Sequence, residues 1–197
     1  MAVTVLSAKD PGIRAFIQSH ARLRDAKRIG KGTFCHVFET ADPTQVLKLT
    51  ADFAHTSYLT DWMAPQGRFK PVVHADIKAV CETQFGLSVH LLEIERLQKI
   101  RRGSPNGRLV SRILRFVNKT GGCAYGRLPT HEDELPWLPA DLGEFLQEVN
   151  DFPPLFNCQL DLHWANFMER ADGTLVLSDP VCDHQTLQRY RSRQHAC

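Results

Sequence analysis

The six cysteines of this chain, at positions 35, 81, 123, 158, 182 and 197, contain no pair at C-x-x-C spacing. That scatter suits neither a disulfide framework nor a structural zinc site, and it fits a reducing compartment. The nine histidines likewise include no H-E-x-x-H pair. The nearest approaches to a ligand group, Cys35 with His36 and Cys182 with His184, lack the paired ligands a metal centre needs. No apolar run approaches the ~20 residues of a membrane span, and the first residues carry no signal-peptide pattern. A cytoplasmic protein with no membrane partner is therefore expected. Internal repeats and low-complexity tracts are missing too. What remains is ordinary globular material: 197 residues, 43% hydrophobic and 23% charged, enough for one domain or two small lobes with a core.

One absence is regional. Between Arg96 and Arg127 there are nine Lys or Arg residues and no acid, and between Leu128 and Glu169 nine acids and no Lys or Arg. Arg108, Arg112, Arg115 and Lys119 recur at helical spacing, with Val110, Ile113, Leu114 and Val117 mostly on the other side. The pattern predicts an amphipathic helix with a basic stripe. Such a stripe is either a solvated face balanced by the acidic half or a docking surface for an acidic protein or nucleic acid. No aromatic residues interleave it for base stacking, which favours a protein.

The chemistry-bearing residues lie on either side of this helix. Asp161 is followed by Asn166 five positions on and by Asp179 thirteen further. Phosphoryl transfer of the kinase type uses that order: one carboxylate takes or orients the acceptor hydroxyl, while an Asn and a second Asp hold Mg²⁺ on the nucleotide phosphates. Residues 167–170 and 174–177 flank an Ala171-Asp172-Gly173 turn and predict a hairpin, which sets Asn166 at the start of one strand and Asp179 at the end of the next, so that their side chains can converge. Upstream, Gly30, Lys31, Gly32, Thr33 and Phe34 predict a glycine-rich turn between strands, a lid over phosphates with Phe34 at its tip and Val37 behind it. Lys48 stands among apolar neighbours in the next strand, as a lysine aimed at the α- and β-phosphates would. A dinucleotide-binding reading of the glycines fails, because a strand and not a helix follows them.

Further elements are expected as a helix over about 8–26, a helix over 51–64 and two strands, about 71–77 and 85–94, around a turn at 82–84. A helix over 141–156 delivers the Asp161 loop. The second strand ends at Glu93-Ile94-Glu95-Arg96-Leu97, where a hinge between two lobes would offer backbone groups to adenine. Asp61, on the 51–64 helix, is the candidate carboxylate to pair with Lys48. His163 either orients the catalytic loop or steadies phosphates, and Trp164 reads as packing.

Together these residues resemble the protein-kinase-like superfamily, and within it the early serine/threonine kinases of autographivirus-type phages. The resemblance rests on the lid, Lys48, Tyr58 with Gln66, Gly67 and Arg68, the Asp161-x-His163-x-x-Asn166 loop, and Asp179-Pro180-Val181. It implies an α+β, minimal two-lobed kinase-like fold: an antiparallel-sheet N-lobe over 1–97 and a truncated, mainly helical C-lobe over 98–197. It implies ATP and Mg²⁺ as cofactors and transfer to host proteins in a bacterial cytoplasm. Gly30, Gly32 and Phe34 would cover the phosphates, Lys48 would neutralise them, Asp161 would be the base, and Asn166 and Asp179 would hold metal. Cys35 stands where a third lid glycine often lies, and Pro180 replaces the usual Phe-Gly after the metal Asp. Little chain follows Asp179, so substrate recognition is expected on another surface, the basic helix. Alternatives are a binding protein that keeps the fold without activity, and a small-molecule phosphotransferase.

Overall fold

The computed structural model describes residues 6, 10–83, 86–122, 126–184, 186 and 188. They form an α+β protein with four α-helices and mainly antiparallel sheet, and among them no helix is long and apolar enough to cross a membrane. The described chain divides into two compact units. One takes in residues up to Thr56 together with Val72–Arg96, and the other takes in Ser57–Pro71 and Leu97–His184. The chain thus crosses between the units after Thr56, after Pro71, after Arg96 and after His184.

The first unit is built on a five-stranded antiparallel sheet: β1 (Arg28–Lys31), β2 (Cys35–Glu39), β3 (Gln45–Thr50), β4 (Val73–Glu82) and β5 (Ser88–Glu95), in the order β1-β2-β3-β5-β4. β3 is the middle strand and is buried from Val46 to Thr50. Because paired residues in a sheet share a face, the register sorts this strand's side chains. Leu47 and Leu49 join Phe38, Val89 and Leu91 in a core with Leu6, Ile13 and Leu23. The opposite face carries the row Gly30, Val37, Lys48 and Leu92.

Helix α1 (Pro11–Ser19) covers the core face with Ile13, Phe16 and Ile17. Asp10 caps it, accepting the N–H groups of Gly12 and Ile13 at 2.9 and 3.3 Å, and Pro11 pre-sets its first turn. It is shorter than expected, because His20 turns to extended backbone and residues 21–25 continue as turns. Ala8 and Lys9, expected in this helix, lie outside the described residues, as do Gln84 and Phe85 at the turn between β4 and β5.

Helix α2 (Phe53–Thr60) is also shorter than the expected 51–64, starting where the Asp52 carboxylate accepts the His55 N–H at 3.0 Å. From Ala54 to Leu59 every residue is buried, the pattern of a helix packed all round.

The second unit holds α3 (Pro105–Thr120), α4 (Ala140–Phe156) and two small sheets. One is β6 (Gln98–Lys99), β8 (Phe167–Glu169) and β9 (Leu175–Leu177), and the other pairs β7 (Gln159–Leu160) with β10 (Val181–Cys182). α3 opens on a Ser104 cap and closes at Gly121, whose φ of 136° suits glycine. It also requires glycine inside: a Cβ on Gly107 would lie 2.2 Å from the Arg101 carbonyl oxygen. α4 buries Leu142, Phe145, Leu146, Val149 and Phe152. It carries Pro153 and Pro154 in its last turn and stops at Asn157, in the left-handed region at φ 49°.

The β8–β9 hairpin has the register Phe167 to Leu177, with Gly173 (φ 85°) in its turn. Tyr58, fully buried and edge-on to Phe152, ties this hairpin to the preceding segment by donating its hydroxyl to the Leu177 carbonyl at 3.0 Å. Burial and the nearby Asp179 charge push the phenol's pKa well up, so it stays a donor. Tyr58→Phe should therefore lower the unfolding free energy by about 1–2 kcal/mol in urea titrations, since a buried carbonyl loses its donor.

Candidate functional site

In the second unit, three segments bring Asp161, Asn166 and Asp179 into one frame. β7 and β10 pair antiparallel, and just past β7 the Asp161 N–H donates to the Pro180 carbonyl at 2.7 Å. Between Asp161 and β8 the chain makes one 3-10 turn, Trp164–Asn166, with the Asn166 N–H on the His163 carbonyl at 3.0 Å. Asn166 is buried. Its Nδ2 donates to the Asp161 carbonyl at 2.6 Å and lies 3.4 Å from Asp161 Oδ2. The Asn166 carbonyl accepts both the N–H and the hydroxyl of Ser178, at 2.8 and 3.1 Å. Asp179 is the next residue. Asn166 closes the turn just before β8, and Asp179 stands two residues past the end of β9, each slightly outside the strand positions expected for them.

The Asp161 carboxylate keeps 40% of its side-chain surface open, so it is reachable from solvent. His163 Nε2 stands 3.4 Å from its Oδ2. That hydrogen bond, with the Asp161 and Asp179 charges, raises the His163 pKa above its ordinary 6.5 against the opposing effect of burial. Trp164, read as packing, is half-buried and lies under the Arg102 guanidinium, 5.3 Å from its ring centre.

Asn166 spends its amide nitrogen on Asp161, which leaves Oδ1 as an oxygen donor near Asp161, and Asp179 directly follows the Ser178 that bonds the Asn166 carbonyl. Hard oxygen donors of this kind suit Mg²⁺, which is held through one or two carboxylates plus phosphates and water. Among the described residues no group of three or more His, Cys, Asp or Glu side chains able to hold a metal is found. The residues present fit a metal that arrives with a phosphate ligand.

In the first unit, Lys48 is buried in β3 between Val37 and Leu92, on the face opposite the α1 core. Its Nζ lies 2.8 Å from Nε2 of His55, in the first turn of α2. An ammonium has only hydrogens to give, so Nε2 accepts and the ring proton sits on Nδ1. His55 was missed by sequence reasoning, which looked for a carboxylate. Asp61, the residue proposed there, lies past the end of α2, where its Oδ1 accepts the Met63 N–H at 2.9 Å.

Two further expectations need correction. Phe34 does sit in the turn between β1 and β2, but its side chain is buried and cannot serve as an exposed lid tip. The turn is also held down: Gly32 N–H bonds the Cys35 carbonyl, Thr33 carbonyl accepts from Leu6, and Phe34 carbonyl accepts from Ala51, at 2.9 to 3.1 Å. Lys31, Gly32 and Thr33 remain exposed, and Gly30 lies in β1 opposite Val37. Glu93 does not begin a hinge. It lies inside β5, flanked by Leu47 and Ala75 on the neighbouring strands, and its carboxylate pairs with Arg22. Its strand continues to Glu95, so its backbone groups belong to the sheet.

The His163 hydrogen bond makes a direct prediction. A raised folded-state pKa means that this pair stabilises the fold fully below about 6.5, and that the contribution is lost as pH rises through the folded value. An NMR titration should find His163 titrating above 6.5, and Asp161→Asn should bring it down. A His163 midpoint unmoved by that substitution would remove Asp161 as the cause.

Compared with known proteins, the chain matches no family model, no curated protein and no solved structure.

Proposed function

We propose that this chain is an ATP- and Mg²⁺-dependent serine/threonine protein kinase of reduced, two-lobed kinase-like fold, related to the early kinases of autographivirus-type phages and acting on host proteins in the bacterial cytoplasm. The observation that carries the reading is the buried Asn166, whose side-chain amide donates to the Asp161 carbonyl and whose backbone carbonyl accepts from Ser178, with Asp179 following. Together they hold one open carboxylate and a set of oxygen donors in a rigid frame.

In this reading Asp161 accepts the proton of the acceptor hydroxyl as its oxygen bonds to the γ-phosphorus and the bond to the departing ADP oxygen breaks. Asn166 Oδ1 and Asp179 would hold Mg²⁺, which when bound neutralises charge on the phosphate oxygens. Pro180 anchors the segment after Asp179, because its carbonyl is held by the Asp161 N–H. His163 steadies the carboxylate from the other side. Lys48, with Gly30, Gly32 and the exposed Lys31 and Thr33, supplies the phosphate contacts. Most of the acceleration would come from positioning and charge neutralisation.

One observation favours a second reading, a binding protein that keeps this frame without activity: Lys48 meets an imidazole where kinases use a glutamate. Transfer of labelled γ-phosphate decides between them. Purified protein with Mg²⁺ in bacterial lysate should label proteins, and Asp161→Asn should reduce the rate by about 10²–10⁴-fold, the range of a general base. No transfer from folded wild-type protein would sink the kinase reading and leave the binding one.

A further inference from the structure

The basic helix now has a geometry. At 100° per residue, Arg108, Arg112, Arg115 and Lys119 fall within an arc of about 60° on α3 and span about 16 Å along it. All four are exposed, while Val110, Ile113 and Val117 are buried on the other side. The acidic half of the chain does not neutralise this stripe. Asp133 pairs with Arg127, Asp141 with Arg68, and Glu148 accepts from Gln66. Among the described residues Arg101, Arg102, Arg108, Arg112, Arg115 and Lys119 make no ion pair with any acid. The stripe's cations are therefore open to direct contact with an acidic partner.

Its N-terminal end reaches the candidate site. Arg102, exposed just ahead of α3, lies over Trp164, and Trp164 directly follows His163 in the loop from Asp161 to Asn166. Stacking leaves the guanidinium's edge free for a carboxylate. The nearby aromatic rings are already occupied by arginines: Trp164 by Arg102, Trp137 by Arg112 and Phe116 by Arg127, at 5.0 to 6.0 Å. Rings covered in this way are not open platforms for bases, which single-strand nucleic acid binding needs.

We infer that Arg102 and the exposed stripe of α3 form a docking track for an acidic segment of a protein substrate, so that the preferred acceptor serine or threonine is flanked by Asp or Glu. The inference rests on the kinase reading for the acceptor, and on charge complementarity alone for the track. A stripe of unpaired, exposed cations attracts acidic partners through long-range steering and short contacts, and both weaken with salt.

The test uses the full chain and labelled peptides holding one serine among glutamates, among neutral residues or among lysines. Fluorescence anisotropy should show binding of the acidic peptide at least about tenfold tighter than the neutral one, weakened by raising salt from about 50 to 300 mM. Arg115→Glu with Lys119→Glu, and separately the milder Arg115→Gln, should weaken acidic-peptide binding, while Arg24→Glu elsewhere on the surface should not. In transfer assays the acidic peptide should show the lower KM, and Arg102→Ala should raise that KM. Equal binding of acidic and neutral peptides, or stripe variants that bind as the wild type does, would overturn the inference. A single-stranded oligonucleotide that binds more tightly and displaces the acidic peptide would also overturn it, in favour of nucleic acid. Acidic-peptide binding without transfer to any peptide would keep the docking track and sink the kinase reading alone.

Discussion

The amide of Asn166 is the constraint on which the candidate site depends. It is buried, so each of its polar groups must find a partner or cost more than a hydrogen bond contributes. Nδ2 spends itself on the Asp161 carbonyl, and the backbone carbonyl of Asn166 takes two hydrogen bonds from Ser178. Asp161 in turn gives its N–H to Pro180. These bonds join the end of β7, the turn before β8 and the segment after β9 into a closed loop of contacts. They fix the backbone from which the Asp161 and Asp179 side chains project. Tyr58 reinforces the arrangement by holding the last residue of β9.

The first unit solves a different problem, how to keep a lysine charged within a sheet. β3 is the central strand and is buried almost throughout, so its alternation assigns Leu47 and Leu49 to the α1 core and Lys48 to the other face. A buried ammonium needs an acceptor. Here the acceptor is the imidazole of His55, positioned because Asp52 starts α2 and so sets the direction of its first turn.

Charge is distributed unevenly for a reason that the hydrogen bonds make plain. Several acids after Leu128 are engaged in hydrogen bonds or ion pairs: Asp133 caps the turn at Thr130 while pairing with Arg127, which holds its carboxyl down at about 2. Among the described residues the basic side chains of α3 make no ion pair, though Arg108 donates to the Gly103 carbonyl and Arg112 lies over Trp137. They occupy the one face of the helix that Val110, Ile113 and Val117 leave outside.

Local signals in the sequence settled the elements around the site. Alternation of apolar residues and the Ala171-Asp172-Gly173 turn made the β8–β9 hairpin legible, and with it the positions of Asn166 and Asp179. The 3.6-residue period of Val110, Ile113 and Val117 determined α3 and its exposed stripe. Those features depend on residues within a few positions of one another. The direction of the Phe34 side chain, the place of Glu93 inside a strand, the shortness of α1 and the identity of the group at Lys48 were decided by the tertiary structure. Each depends on which strand pairs with which and on how a helix begins, so the partners lie outside any local pattern. Sequence alone determined which reactive side chains the chain carries and in what order. Only folding decided which of those groups met, because a buried polar group takes the partner that sheet register and helix capping bring to it.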